Sequence, residues 1–334
     1  MKYKIINEDC FEAIKRLPDN SIDLVITSPP YSDIVNYGKD VSTKKPDDYC
    51  DWILPLFKEI WRVLKPSGSF ILNINDKTEK GLRSTYIYDL ISRNNKETKL
   101  RLYDTYIWHK RNGIPNGGPK RFRNTTEFIF HFCKDNKQMK FYMDRVLQEQ
   151  KSSSKNRLNY EMVDYQGDVV DGVRVVNKEL RQQPDKVRPD NVVRFSTAAA
   201  SRDNIIKHPA PYHKELPLYY INLLTDEGDV VLDPFSGIGT TGIACKELDR
   251  KYIGFELNTT YADFSLKRLE GILDDEYVVN QYTLDDEFIK SYPNRSSAKR
   301  DNPEISEENI IRCYNGWYKS AGGYKWKLER KVRL

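Results

Sequence analysis

Two short stretches of the chain carry residue types and spacings that could support group-transfer chemistry. The first ends an apolar run with a serine, two prolines and a tyrosine, Ser28-Pro29-Pro30-Tyr31. A serine hydroxyl and a proline carbonyl can accept hydrogen bonds from an amine, and an aromatic ring can stack on a planar base. Tandem prolines fix the backbone and remove competing N–H donors. Alone, this stretch would be interpreted as a proline-rich turn after a strand; combined with a second motif, it predicts a site that grips an amino group.

The second stretch is a glycine-rich turn between a predicted strand and a predicted helix, Asp233-Pro234-Phe235-Ser236-Gly237-Ile238-Gly239-Thr240-Thr241. Glycines let the backbone approach a ligand closely, and a helix N-terminus presents N–H groups to it. Glu256 ends the next predicted strand, where a carboxylate can bind a ribose diol. The glycine spacing also fits a nicotinamide dinucleotide site, so an oxidoreductase stays open here. Asp233 at the strand tip instead favours a positively charged ligand.

In this order, the two stretches resemble the amino-methylating DNA methyltransferases, in the circularly ordered group whose catalytic half precedes its cofactor half. The resemblance covers residues 1–133 and 208–274. It implies S-adenosyl-L-methionine as the cofactor, double-stranded DNA as the partner, and methyl transfer to the exocyclic amine of a flipped base. A cognate restriction endonuclease that forms no stable complex with the chain is compatible with this resemblance, which makes no prediction of oligomeric state.

The resemblance assigns the catalytic roles to Ser28, Pro29, Pro30 and Tyr31. The Ser28 hydroxyl and the Pro29 carbonyl would hold the amine hydrogens so that the nitrogen lone pair can attack in line. The Tyr31 ring would stack on the extruded base, and its hydroxyl would matter less. Residues implied to bind the cofactor are Asp9, Thr27, His208, Asp233, Pro234, Phe235, Ser236, Gly237, Gly239, Thr240 and Glu256.

The first residue of the tetrapeptide bears on the choice of base. Family members with serine in the place of Ser28 more often methylate N4 of cytosine, and those with Asp or Asn more often methylate N6 of adenine. We therefore expect cytosine N4, with adenine N6 as the alternative. Methylation at carbon 5 needs a thiolate nucleophile, normally in a Pro-Cys pair, and no cysteine here follows a proline. A methyltransferase acting on RNA or on protein amides is a further alternative.

Composition narrows the class of protein. The 54 Lys and Arg residues exceed the 49 Asp and Glu residues by five. Five scattered cysteines without a C-x-x-C pair predict a reduced cytoplasmic protein without disulfides. No apolar segment approaches the roughly 20 residues that span a bilayer, so we expect no membrane segment.

Prolines between His208 and His213 argue against a metal site. Basic residues suited to phosphate contacts cluster at Lys99, Arg101, Lys110, Arg111, Lys120, Arg121 and Arg123.

The order of apolar segments predicts the fold. Strands are expected at 3–6, 22–27, 69–74, 105–108, 128–132, 229–233 and 252–256, with helical spacing between Trp52 and Leu64 that Pro66-Ser67-Gly68 should stop. This alternation predicts an α/β protein with a doubly wound, mostly parallel methyltransferase sheet. We expect a catalytic half at 1–133, an inserted target-recognition region at 134–207, a cofactor-binding half at 208–274 and a C-terminal extension without assigned role at 275–334.

Overall fold

The computed structural model describes residues 2–31, 45–76, 78–79, 81–111, 120–149, 162–164, 169–170, 173–174, 177–179, 186–196, 213–271, 277–293, 295–314 and 318–330. The chain divides into two compact units. One comprises residues 1–141 and 191–334, and the other comprises residues 142–190.

The strands lie in chain order as follows: β1 (Tyr3–Ile6), β2 (Ile22–Thr27), β3 (Leu64–Ile74), β4 (Thr78–Glu79), β5 (Leu82–Arg83), β6 (Arg101–Lys110), β7 (Thr126–Cys133), β8 (Gln148–Glu149), β9 (Met162–Asp164), β10 (Val169–Val170), β11 (Val173–Arg174), β12 (Asn177–Glu179), β13 (Lys186–Val187), β14 (Val192–Phe195), β15 (Val230–Asp233), β16 (Lys251–Phe255), β17 (Tyr277–Tyr282), β18 (Phe288–Tyr292) and β19 (Lys325–Arg330). The α-helices are α1 (Cys10–Ala13), α2 (Pro46–Val63), α3 (Tyr86–Glu97), α4 (Glu215–Leu224), α5 (Thr240–Glu247), α6 (Thr259–Glu270), α7 (Arg295–Asp301) and α8 (Glu307–Tyr314). Among the described residues, 3₁₀ turns cover Ile14–Arg16 and Met143–Val146.

The larger unit centres on an eight-stranded sheet in the order β1-β16-β15-β2-β3-β7-β6-β14. Neighbouring strands from β1 to β3 run parallel, as do β6 and β14. β7 runs antiparallel to both β3 and β6. The predicted α/β fold with a doubly wound, mostly parallel sheet is therefore confirmed.

Strand β2 occupies the middle of this sheet, and all six of its residues are buried. A parallel strand with both faces covered reads as a continuous apolar run, which is why the sequence located it correctly. Helix α2 packs against the same core, where the rings of Phe57 and Phe70 meet edge to face at 5.1 Å. The hydroxyl of Tyr49 on α2 donates to the carbonyl of Pro30 at 3.1 Å, so this helix also fixes the chain just after β2.

The prediction that Pro66-Ser67-Gly68 stops the helix was wrong in detail. Helix α2 ends earlier, at Val63, and the three residues belong to the first half of β3. A Cβ on Gly68 would lie 2.9 Å from a Leu64 methyl carbon and 3.1 Å from the Asp23 carbonyl oxygen. The missing side chain therefore lets β3 lie close to β2, a long-range contact that a local stop signal does not reveal.

The smaller unit, residues 142–190, contains three antiparallel strand pairs among its described residues: β8 with β13, β9 with β12, and β10 with β11. It lies inside the segment 134–207. Strand β14 comes from the same segment, but it belongs to the central sheet of the larger unit, where it pairs with β6.

The C-terminal residues form a three-stranded sheet in the order β18-β17-β19 with helices α7 and α8. Their buried residues make a separate hydrophobic cluster around Trp326, which is 2% exposed. No helix among the described residues is long and apolar enough to cross a membrane. The five cysteines are all buried and unpaired.

Candidate functional site

The carboxyl ends of neighbouring parallel strands bring the predicted site residues to one edge of the sheet. Asp9 follows β1, Glu256 follows β16, Asp233 ends β15 and Ser28 follows β2. These four strands are consecutive in the sheet. The chain winds in opposite directions from β2 and β15, so the edge between them is a topological switch point, the usual place for a ligand in such sheets.

Asp233 joins the two predicted motifs at this switch point. Its carboxylate is 1% exposed and accepts hydrogen bonds from the hydroxyls of Thr27 at 2.6 Å and Thr241 at 2.5 Å, one on each oxygen. The backbone N–H of Phe235 also donates to it at 3.1 Å. Two residues predicted to bind the cofactor, Thr27 and Asp233, are thus bonded to each other, and Asp233 holds the glycine turn against the end of β2.

The glycine turn has the backbone that its sequence predicts. Gly237 and Gly239 have φ angles of +52° and +77°, in the left-handed region that favours glycine. A Cβ on Gly239 would lie 2.1 Å from the Ser265 hydroxyl oxygen, so no larger residue fits there. The N–H of Ser236 donates to the Phe255 carbonyl at 2.9 Å, which fastens the turn to β16. The turn leads directly into α5, whose first residue is the buried Thr240.

Glu256 closes the other side of the turn. Its two carboxylate oxygens accept the N–H groups of Gly237 at 2.7 Å and Asn258 at 2.8 Å. Burial raises the pKa of this carboxyl above its usual value, and the two N–H donors act against that effect. A largely buried carboxylate beside a glycine turn is the arrangement expected of a diol acceptor.

Asp9 follows β1 and Phe235 follows β15, so both lie at the carboxyl ends of the strands that carry the other site residues. Asp9 caps α1 by accepting the Phe11 N–H at 2.7 Å, and its side chain is exposed. The half-buried ring of Phe235 lies 5.9 Å from that of Trp52, which in turn lies 5.7 Å from Phe11. Pro234, which precedes Phe235, is buried. The helical spacing of the sequence placed Trp52 in a helix and did not predict its contact with Phe235 of the cofactor turn.

The catalytic tetrapeptide is connected to a polar group that sequence reasoning missed. The Ser28 hydroxyl donates to the Tyr31 hydroxyl at 3.1 Å, and the Tyr31 hydroxyl donates to the Glu127 carboxylate at 2.8 Å. Glu127 also lies 2.5 Å from the Nζ of Lys110. Lys110 had been assigned to a phosphate-binding cluster, whereas in the structure it forms an ion pair. The available signal was Glu127 itself, an acid at the start of the apolar segment Thr126–Cys133.

His208 lies outside the described residues, as do residues 32–44 directly after Tyr31. His213 is described, and its Nδ1 lies 3.6 Å from a carboxylate oxygen of Glu215. Within the part of the chain that the structure covers, no group of three or more His, Cys, Asp and Glu residues could hold a metal ion.

Comparisons with known sequences and structures all match this chain to DNA methyltransferases. The sequence model of a family described as DNA methylase matches residues 22–267. The type II methyltransferase M.HpaI of Haemophilus parainfluenzae is 30% identical over 339 residues, which cover 100% of this chain and 92% of that protein. The DNA adenine methyltransferase YhdJ of Escherichia coli strain K12 is 30% identical over 268 residues, covering 80% and 82%.

Among solved structures, the PvuII DNA methyltransferase, which is cytosine-N4-specific, matches with a TM-score of 0.60 and 25% identity. The match covers 80% of this chain and 86% of that chain. The family match includes the tetrapeptide, the glycine turn and Glu256 in a single stretch of sequence.

Proposed function

This chain belongs to the family of DNA methylases, and on that premise we propose that it methylates N4 of cytosine in double-stranded DNA. The resemblance to amino-methyltransferases is confirmed by the family match. The same match favours methyl transfer over the nicotinamide oxidoreductase that the glycine spacing left open.

One observation carries the proposal. The tetrapeptide and the glycine turn lie far apart in the chain, yet the hydrogen bond between Thr27 and Asp233 places them side by side, across a separation of 206 residues. A group-transfer enzyme needs its donor and acceptor held in reacting geometry, because orientation removes a large part of the barrier. Ser28 and the cofactor turn stand on adjacent strands, β2 and β15, as that requirement demands.

The residues around the turn fit S-adenosylmethionine, the cofactor of this chain. Gly237 and Gly239 allow close backbone approach, and Glu256 provides a carboxylate suited to a ribose diol. The exposed Asp9 carboxylate lies on the same edge, and Phe235 offers an aromatic face. When bound, the cofactor supplies a methyl group that its sulfonium makes electrophilic.

The tetrapeptide provides the acceptor side of the reaction. The amine of cytosine is a weak nucleophile because its lone pair is delocalised into the ring. Ser28 Oγ and the Pro29 carbonyl accept its two hydrogens, which favours a tetrahedral nitrogen with an available lone pair. Tyr49 holds the Pro30 carbonyl, which keeps the tetrapeptide backbone in place. The Tyr31 ring offers a stacking face for the base.

DNA as the substrate is supported by charge and exposure beside this edge. The segment leading into β7 carries Lys120, Arg121 and Arg123, all exposed, around Phe122, whose side chain is 97% exposed. Basic residues bind phosphates, and an exposed ring can contact unstacked bases. We further propose that residues 142–190 form the target-recognition part of the inserted region 134–207, and that the chain acts within a restriction-modification system or as an orphan modification enzyme.

Both base specificities are represented among the relatives. Ser28 in the first position of the tetrapeptide supports cytosine N4, as does the similarity to the PvuII enzyme, which is cytosine-N4-specific. Adenine N6 is the second candidate, because a relative that is 30% identical is a DNA adenine methyltransferase.

The product of the reaction distinguishes these candidates. DNA methylated by the purified protein should release N4-methylcytosine when it is digested to nucleosides and separated by mass spectrometry. The catalytically impaired variant Ser28→Ala serves as the control for methylated bases already present in the DNA. Release of N6-methyladenine alone would contradict the choice of cytosine and leave methylation of an exocyclic amine standing.

A second prediction concerns the pH dependence of cofactor binding. Because burial raises the pKa of Glu256 above 4.5, this carboxyl gains its proton at a higher pH than an exposed glutamate does. A protonated carboxyl is a poorer acceptor for a ribose diol. We therefore expect the affinity for S-adenosylmethionine, measured by calorimetry, to fall as the pH is lowered from neutral, before the pH reaches the usual glutamate pKa of 4.5.

The variant Glu256→Gln tests the source of this dependence. It should bind the cofactor more weakly than the wild type at neutral pH, because its amide can accept only one of the two N–H donors that now bond to Glu256. Its affinity should also lose the decline at low pH. A variant that keeps the full pH dependence would show that another group is responsible.

A further inference from the structure

A buried carboxylate lies next to the tetrapeptide without a part in the mechanism described above. Glu127, the second residue of β7, is 8% exposed. One of its oxygens lies 2.5 Å from Nζ of Lys110, the last residue of β6. A buried carboxylate is costly unless it is paired and hydrogen-bonded, and Lys110 provides the pairing charge.

The other carboxylate oxygen of Glu127 organises the hydroxyls of the tetrapeptide. It accepts the Tyr31 hydroxyl at 2.8 Å and the side-chain amide of Asn73 at 3.0 Å. A carboxylate can only accept, so both partners must donate to it. The Tyr31 hydroxyl has a single hydrogen, which the charged carboxylate accepts at 2.8 Å in preference to the Asn73 Oδ1 at 3.3 Å, and its oxygen accepts the Ser28 hydroxyl at 3.1 Å. The chain of hydrogen bonds therefore runs in one direction, from Ser28 through Tyr31 to Glu127.

This direction determines what Ser28 can offer to a substrate. Its one hydrogen is committed to Tyr31, so its lone pairs are left to accept an N–H group. Successive hydrogen bonds that end at a charged acceptor polarise one another, which makes the first oxygen a stronger acceptor. We propose that Glu127 is a positioning residue that acts through the Tyr31 hydroxyl to hold Ser28 as the acceptor for the amine of the target base.

This inference rests on the proposed function, in which Ser28 grips that amine. It also changes the sequence-based expectation for Tyr31, because the hydroxyl as well as the ring then contributes to the reaction. Glutamine at position 127 would present an amide that can donate to the Tyr31 oxygen. The chain could then reverse, with Tyr31 donating to Ser28 and the Ser28 hydrogen turned toward the amine.

The test is the single-turnover rate of DNA methylation with saturating S-adenosylmethionine. Glu127→Gln and Tyr31→Phe should each lower this rate about tenfold to a hundredfold, the scale of a misplaced reacting group. Cofactor affinity, measured by calorimetry, should stay within about twofold of the wild type, because only the transition-state interaction is lost. In a Ser28→Ala background, Glu127→Gln should lower the rate by less than about threefold, since residues that act as one unit are not additive.

The chain offers a matched control in its C-terminal sheet. Glu329 accepts the Tyr282 hydroxyl at 3.0 Å and the Asn280 amide at 2.6 Å, which repeats the local chemistry of Glu127 away from the tetrapeptide. Glu329→Gln and Tyr282→Phe should therefore leave the methylation rate at the wild-type value. A loss in these variants as large as that in Glu127→Gln would assign the effect to general destabilisation and overturn the proposal.

The outcomes separate this inference from the proposed function. A wild-type protein that methylates no DNA would overturn the proposed function itself. If the wild type methylates DNA and the Glu127→Gln variant does so at the same rate, only the role of Glu127 is overturned. The same conclusion follows if Glu127→Gln lowers the rate of the Ser28→Ala variant by as much as it lowers the rate of the wild type. If Glu127→Gln does not fold, Tyr31→Phe decides, because it removes only the hydroxyl, and a wild-type rate for it would overturn the proposal.

Discussion

Replacing Asp233 by alanine is expected to weaken the binding of S-adenosylmethionine by at least about 100-fold, which corresponds to roughly 2.7 kcal/mol. The change removes the carboxylate that accepts the hydroxyls of Thr27 and Thr241 and the N–H of Phe235. Removing the acceptor of a buried donor costs on the order of 1–3 kcal/mol. The glycine turn then loses its hydrogen bond to Thr27 at the end of β2. Part of the binding free energy of the cofactor must then order the turn, which lowers the cofactor affinity. Calorimetry on the folded variant measures the effect.

Asp23 provides the control for this prediction. It is 2% exposed, accepts the Lys65 ammonium at 2.8 Å, and accepts the Val230 N–H at 2.9 Å. It therefore also links β2 to β15, but at the amino ends of the strands, away from the turn. Asp23→Ala should lower the thermal stability without lowering the cofactor affinity of the protein that remains folded. An Asp233→Ala variant that is folded and binds the cofactor as the wild type does would contradict the prediction.

Replacing Ser28 by alanine should lower the single-turnover rate of methylation by about 100- to 1000-fold, the scale seen when one preorganised polar group is removed from a transition state. Alanine cannot accept an amine hydrogen, so the nitrogen lone pair stays delocalised in the base. Binding of S-adenosylmethionine should be almost unchanged, because the cofactor turn is held by Asp233 and Glu256. Calorimetry and rapid-quench kinetics measure the two effects separately.

Ser69→Ala is the matched control for Ser28→Ala. Ser69 is a buried serine on the neighbouring strand β3, and its hydroxyl lies 2.9 Å from the His131 ring nitrogen. It pairs in register with Leu24, nearer the amino end of β2. The Ser69→Ala variant should methylate DNA at the wild-type rate. A Ser28→Ala rate close to that of the wild type would show that the serine hydroxyl does not hold the amine.

The sequence by itself determined the parts of this protein that depend on neighbouring residues. The buried run of β2 ends at two prolines, and the glycine turn requires positive φ angles at Gly237 and Gly239, so both motifs were located correctly. Helix α3 was missed because its helical pattern is interrupted by polar residues, and no side chain caps its N-terminus. Strand β14 was missed because its short apolar segment lies in a polar region.

Only the tertiary structure decided how these parts meet. The contact between Thr27 and Asp233 depends on β15 lying beside β2, and the bond from Tyr31 to Glu127 joins residues 96 positions apart. Periodicity shows which face of a strand is buried, but it carries no information about which strand lies next to it. Hydrogen bonds and ion pairs act over a few ångströms, so the partners of Asp233 and Glu127 follow from the order of strands in the sheet.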